Sequence, residues 1–343
     1  FDPPPKLVGG KLMVDFEDKP PTLVGVRSTN VSRCVNTARG VLDGLLGGAA
    51  AAAEVPISTA KNEDEDLTPN PKRCARLGEL WASARDEWAT KWKDHVLAAP
   101  VLAHLVANGL SERDRELYRL ERGSWVPFKD VILSVGAQPS TGGVLPFGVD
   151  ADAAPDNPSS LAAIDTLAAA QVGFMMGVGR GEEVETETNR LSLGAALGRT
   201  YAELVERAEA AAGAAAAPAT LRLVSGHDTT ILPTLTALRL WDGSWPPFCS
   251  ALSFELWVAD ADETAPPLLR VLYNGAGGGV YSSTKVAEAH GALREIARWT
   301  LDEFGEVVAR VVPANHAAEC TKVESPEFAQ KLLRAAQAGG SQF

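Results

Sequence analysis

The sequence predicts an α/β sandwich, and three observations predict it. Two short apolar runs, Thr22–Val26 and Leu221–Val224, read as buried strands. A helical pattern follows each within a few residues. Two further apolar runs, Ala251–Val258 and Leu268–Tyr273, read as a strand pair split by an acidic, Pro-containing loop. Strands alternating with helices pack as layers, helix on sheet. The 343 residues are 45% hydrophobic and 22% charged, enough for a large core in one domain or in two smaller ones.

Residues 1–21 are Pro-rich and read as loop. After the first strand, Ser28-Thr29-Asn30 offers an N-cap. Val31, Cys34, Val35, Ala38, Val41, Leu42 and Leu45 then recur at helical spacing and predict a helix over 31–46, ended by Gly47-Gly48. The Ala49–Ala53 run and the acidic patch Glu63-Asp64-Glu65-Asp66 read as linker. Residues 74–212 hold few strand-like runs and predict a mostly helical insertion, interrupted by Pro and Gly at 136–158. Ala211–Ala217 is low-complexity and reads as a surface loop or a frayed helix end. Residues 229–240 predict a helix with Ile231, Leu232, Leu235 and Leu238 on one face. Helical spacing returns over 284–312.

The formal net charge is −12. That argues against nucleic acid or an anionic membrane as partner, since both are gripped through basic patches. No apolar run is long enough for a transmembrane helix. Phe1, rather than Met, stands first, which points to a processed or partial chain. The four cysteines, Cys34, Cys74, Cys249 and Cys320, are far apart and form no C-x-x-C pair, so a zinc site is not expected. They suit four thiols or, in an oxidising compartment, two disulfides; thiols are favoured. No metal or cofactor is expected, because the P-loop, the dinucleotide fingerprint, G-x-S-x-G and H-E-x-x-H are all absent.

Two strand–loop–helix junctions place polar residues at strand carboxyl ends, where open α/β sheets bind ligands. The first carries Arg27, the second His227 and Asp228. An Arg fork and a His beside two helix N-termini suit a phosphate, and a nearby carboxylic acid suits protonation of a leaving oxygen. Structural roles fit the same residues: an ion pair for Arg27, a satisfied loop histidine for His227, an N-cap for Asp228.

Val26-Arg27-Ser28-Thr29-Asn30 followed by Arg33, and Gly226-His227-Asp228-Thr229-Thr230, resemble two motifs of the histidine acid phosphatases (histidine phosphatase superfamily, branch 2), in the family's order. Trp245-Pro246-Pro247-Phe248 and Val271-Leu272-Tyr273-Asn274-Gly275 resemble the segment that follows. Leu301-Asp302-Glu303-Phe304 and His316–Cys320 resemble the lysophosphatidic acid phosphatase branch. The resemblance covers roughly residues 7–320.

It implies a three-layer sandwich around a mixed central sheet with a mostly helical cap, the phosphoglycerate-mutase-like fold. Residues 1–48 and 218–320 would form the α/β core, 74–212 the cap and 321–343 a tail. Arg27 and His227 would bind phosphate, and Asp228 would be the general acid. The substrate would be a phosphomonoester, lysophosphatidic acid by the branch, in a mitochondrial or a secretory, lysosome-like compartment.

The family's nucleophile lies in an Arg-His-Gly-x-Arg-x-Pro motif. None of His95, His104, His227, His290 and His316 follows an Arg and precedes a Gly. Gly9-Gly10-Lys11-Leu12 is a candidate remnant of the turn after the family's first helix, so that strand and helix are expected to be absent or reduced, leaving a sheet edge for a partner or a missing segment to cover. Three readings follow. One is a phosphatase whose nucleophile lies upstream. The second is a pseudophosphatase serving as a structural subunit with protein partners. The third is a phosphate or inositol-phosphate binding module.

Overall fold

The computed structural model describes residues 24–138, 140, 142–150, 159–212, 220–259, 265–275 and 293–337. Strand β1 (Val24–Ser28) is central in a parallel sheet, between β2 (Ile57–Thr59) and β3 (Leu221–Ser225). It leads into α1 (Ser32–Leu46), whose Ala38 and Leu42 pack with Val24 and Val26 in one buried cluster. Gly47 ends α1 with φ of 72°, a left-handed turn that favours glycine. The expected N-cap at Ser28–Asn30 is held instead by Val31, with no side-chain bond.

The stretch read as linker is ordered. Residues Ala49–Glu54 form α2, with Ala52 buried, and Ile57–Thr59 is strand β2. Alanine is the best helix former, so a short Ala run makes a helix wherever neighbours cover it. Arg39 holds it in place, donating to the carbonyls of Ala52 (2.5 Å) and Val55 (2.6 Å).

The helical insertion runs through α3 (Ala75–Lys91), α4 (Ala98–Ala107), α5 (Glu112–Leu117), α6 (Trp125–Gly136) and α7 (Ser160–Met175). Its core is aromatic: Trp88, Trp92, Trp125 and Phe128 are buried, and the rings of Trp92 and Trp125 meet edge-on at 5.6 Å. Leu232 and Trp245 from outside the insertion join this cluster. A continuous helical run follows: α8 (Glu182–Asn189), a π segment over Arg190–Gly194, and α9 (Ala195–Ala212). A Cβ at Gly194 would lie 1.9 Å from the Val311 carbonyl oxygen, so only glycine allows this close approach.

Helix α10 (Asp228–Ala237) follows β3. Strands β4 (Leu252–Trp257), β5 (Leu268–Tyr273) and β6 (Arg294–Thr300) form a second, antiparallel sheet with β5 in the middle. Helix α11 (Leu301–Ala309) and α9 close over it through Phe304, Val308, Leu197 and Tyr201. The helical spacing read over 284–312 is corrected at Arg294–Thr300: these residues are strand, pinned by pairing with β5 and by Glu295, which holds Arg270 at 2.8 Å across the strands. Short helix α12 (His316–Cys320) and α13 (Pro326–Gln337) complete the fold. Among the described residues no helix is long and apolar enough to cross a membrane.

The expected set of four thiols is corrected in part. Cys74 and Cys320 are disulfide-bonded, 246 residues apart, while Cys34 is a buried thiol and Cys249 an exposed one. Sequence spacing hid the pair because the insertion folds back onto the chain's end. The bond closes a long loop, so replacing Cys320 with Ser is expected to lower unfolding free energy by about 2–4 kcal/mol. Urea denaturation of oxidised wild type and variant checks this; equal midpoints would refute it.

Candidate phosphate site at the strand ends

Strands β1 and β3 end in register, Ser28 opposite Ser225, and the Thr29 N–H donates to the Ser225 carbonyl at 3.1 Å. Two polar junctions thereby lie side by side. Thr29 Oγ1 is 3.0 Å from His227 Nε2, and Arg33 Nη2 is 3.3 Å from His227 Nδ1. A guanidinium only donates, so Nδ1 accepts; the ring proton then sits on Nε2 and is donated to Thr29. Buried Ser225 donates to the Cys34 carbonyl (2.8 Å) and Cys34 Sγ to the Gly226 carbonyl (3.2 Å), which fastens α1 to this loop.

The Gly226-His227-Asp228 turn has a local cause. His227 is the N-cap of α10, and its N–H donates to Thr230 Oγ1 at 3.0 Å. A Cβ at Gly226 would lie 2.4 Å from that same oxygen. Asp228, expected as a possible N-cap, is instead the first helical residue. Its Oδ1 accepts from the Thr229 N–H (2.7 Å) and its Oδ2 from the Trp245 indole N–H (3.1 Å).

Two residues behind Asp228 escaped sequence reasoning in this role. Trp245 is buried, and its ring lies 3.3 Å from Lys129 Nζ. Lys129, on α6, is fully buried and paired to Asp165 of α7 at 3.5 Å. Burial pushes its ammonium pKa down, against the pull of Asp165, Asp228 and Asp130. The signal was present: Trp125, Phe128, Lys129 and Ile132 share one helix face, which puts Lys129 among core residues.

The Arg27 guanidinium is engaged by two carboxylates. Its Nη2 donates to Asp66 (2.5 Å) and Glu65 (3.2 Å), while Arg33 is the arginine that bonds His227. Asp66 also holds Arg73 at 3.3 Å and bonds Arg199. Glu65 and Asp66, in the patch read as linker, are therefore buried structural carboxylates. Burial pushes the Asp66 carboxyl up, but Arg199 and Arg27 outweigh it and hold it below the usual range.

His95, His104 and His316 make local hydrogen bonds. His95 Nδ1 accepts the Leu97 N–H (3.2 Å), His104 Nε2 donates to the Gly148 carbonyl (2.8 Å), and His316 Nε2 to the Leu191 carbonyl (3.1 Å). His290, Gly9–Leu12 and Gly277–Gly279 lie outside the described residues.

Burial and the neighbouring Arg33 push the His227 pKa below its ordinary value, outweighing Asp228 and Glu65. The imidazole is then neutral at pH 7. A bound phosphate would reverse this by favouring the imidazolium. Phosphate binding is therefore expected to draw a proton onto His227, and affinity to rise as pH falls from 7 toward 5. Calorimetry in two buffers of different ionisation enthalpy reads that proton. An uptake that persists unchanged in His227→Gln would contradict the assignment.

The ends of parallel strands β1 and β3 thus bring Arg33, at the start of α1, against His227, with the Asp228 carboxylate one residue on. Residues 181–274 match the histidine phosphatase superfamily (branch 2). A stretch of 54 residues is 44% identical to 2-phosphoxylose phosphatase 1 of Rattus norvegicus, covering 16% of this chain and 11% of that protein. The Homo sapiens protein of the same name is 43% identical over 53 residues, again 16% of this chain and 11% of the relative. The match thus spans about a tenth of these relatives' length. Among solved structures, a Klebsiella sp ASR1 phytase is similar with a TM-score of 0.51 and 18% identity, covering 86% of this chain and 78% of that one. That likeness shows the α/β histidine phosphatase fold.

Proposed function

We propose that the strand ends of β1 and β3 bind the phosphate of a phosphomonoester, in a phosphatase that works through a phosphohistidine when an Arg-His-Gly segment joins the site. The observation that carries this is the contact set Thr29–His227–Arg33, a neutral acceptor histidine and a cationic fork at one sheet edge. Arg27, at the end of β1, is proposed to add to the cradle; its bonds to Glu65 and Asp66 both use Nη2, so those carboxylates do not occupy Nε and Nη1. Asp228 delivers the proton to the leaving alcohol. The nucleophile must come from a residue outside the five histidines of this sequence, since none is flanked by Arg and Gly.

The test is hydrolysis of p-nitrophenyl phosphate by the full-length gene product from pH 4 to 8. Activity is expected, rising toward acid pH as His227 gains charge. Inactivity over the whole range would reject turnover. A second reading, binding without turnover in a protein scaffold, draws on the same lack of an Arg-His-Gly histidine. Its signature is saturable phosphate binding by a full-length protein that hydrolyses nothing. Lysophosphatidic acid, from the branch resemblance, and a 2-phosphoxylose substrate, from the relatives' name, are the two compounds to compare for substrate class.

A further inference from the structure

Residues too far apart in sequence to suggest a metal site come together where the chain's end meets the helical insertion. Cys74 precedes α3; His316 and Cys320 lie one turn apart on α12, on the same helix face. Their donor atoms all lie within 4.8 Å of one another. Cys320 Sγ is 3.7 Å from His316 Nδ1.

A second observation concerns the ring. His316 Nε2 is 3.1 Å from the Leu191 carbonyl, which can only accept, so Nε2 carries the proton and Nδ1 keeps the free lone pair, with Cys320 Sγ 3.7 Å from Nδ1 and 3.5 Å from Nε2. A histidine whose far nitrogen is anchored to a backbone carbonyl is how metal-ligating imidazoles are oriented. Leu191 belongs to the π segment, and Arg190 of the same segment pairs with Glu319 of α12 at 2.8 Å, which fixes the short helix. Both cysteines are buried while His316 is half-buried, so an ion would enter past the imidazole.

We propose that Cys74, His316 and Cys320 form a Zn²⁺ site when the disulfide is reduced. An external dithiol supplies two electrons and two protons; the S–S bond breaks, two thiols form, and the dithiol becomes the disulfide. Zn²⁺ then displaces both thiol protons and takes two thiolates, Nδ1 of His316 and one water. The segment α12–α13, already tied to α3 by Glu79, which accepts from the N–H groups of Glu324 (3.0 Å) and Ser325 (2.5 Å), stays fastened by disulfide or by metal. Metal replaces the covalent bond in a reducing compartment.

The test uses the Cys34→Ser/Cys249→Ser protein, which removes the two other thiols. After reduction and removal of reductant, it is titrated with Zn²⁺ in competition with a chromogenic chelator, and with Co²⁺ by absorption. One Zn²⁺ per chain is expected, sulfur-to-cobalt charge-transfer bands are expected, and the melting temperature of the reduced protein should rise on adding Zn²⁺. The oxidised protein should bind none, and His316→Ala should weaken binding at least tenfold. Reduced protein that takes up no Zn²⁺, or binding unchanged in His316→Ala, overturns the proposal. Should the double variant not fold, the same titration on reduced wild type decides, with the His316→Ala comparison assigning the ion.

Discussion

Asp228→Asn is expected to slow phosphomonoester hydrolysis by the full-length protein roughly 10²–10⁴-fold, the contribution of a general acid. The amide keeps the shape and can still accept at Oδ1, where the Thr229 N–H arrives, so α10 should start as before. What it loses is the transferable proton, together with the Oδ2 acceptor of the Trp245 indole N–H. The loss should therefore depend on the leaving group. An alkyl phosphate, whose alkoxide needs that proton, should show the full effect, and p-nitrophenyl phosphate a much smaller one. Equal loss on both substrates would mean that Asp228 acts by positioning and not by proton transfer. The Trp245 indole on Oδ2 gives a control: Trp245→Phe keeps the acid but removes the donor that aims it. Its effect should be smaller and similar for both leaving groups.

Asp66→Ala is expected to cost about 3–4 kcal/mol of stability, toward the lower part of the range for breaking a buried ion pair, because its arginines keep partial access to water. One carboxylate serves Arg27, Arg73 and Arg199, which come from β1, the turn before α3 and α9. Removing it takes this partner from Arg73 and Arg199 and leaves Arg27 with Glu65. The pH dependence follows from its lowered pKa. A carboxyl with a folded value below its unfolded one stabilises the protein above the unfolded value, and that stability is lost as pH falls through the folded value. Wild type should thus lose stability below about pH 4 more steeply than Asp66→Ala. Urea midpoints across pH 2.5 to 7 read both effects; parallel curves would contradict the role given to Asp66.

Legibility in the sequence followed physical range. Strands β1 and β3 and helix α1 were readable because each is a local pattern, apolar run or 3.6-residue spacing, ended by Gly or a polar turn. The junction at His227–Asp228 was readable because a tight Gly-His-Asp turn lies between a strand and a helix. What failed was whatever depends on distant partners. Glu65 and Asp66 resemble a solvated acidic linker until arginines more than a hundred residues apart converge on them. Cys74 and Cys320 resemble isolated thiols until α3 and α12 meet. Arg294–Thr300 has no strand signature of its own; it becomes a strand by pairing with β5. Arg27 and Arg33 were both visible in one motif, yet which of them reaches His227 is settled by the carboxylates that take Arg27, and those are not local.

The central claim is that the β1 and β3 strand ends form an anion site centred on His227 and Arg33. Calorimetric titration of the folded chain with inorganic phosphate at pH 6 tests it most directly. The account predicts one saturable site, weakened roughly tenfold or more in Arg33→Ala, the effect of losing a charged hydrogen-bond partner, and weakened likewise in His227→Ala. Wild type without saturable binding, or both variants binding phosphate as wild type does, would contradict it.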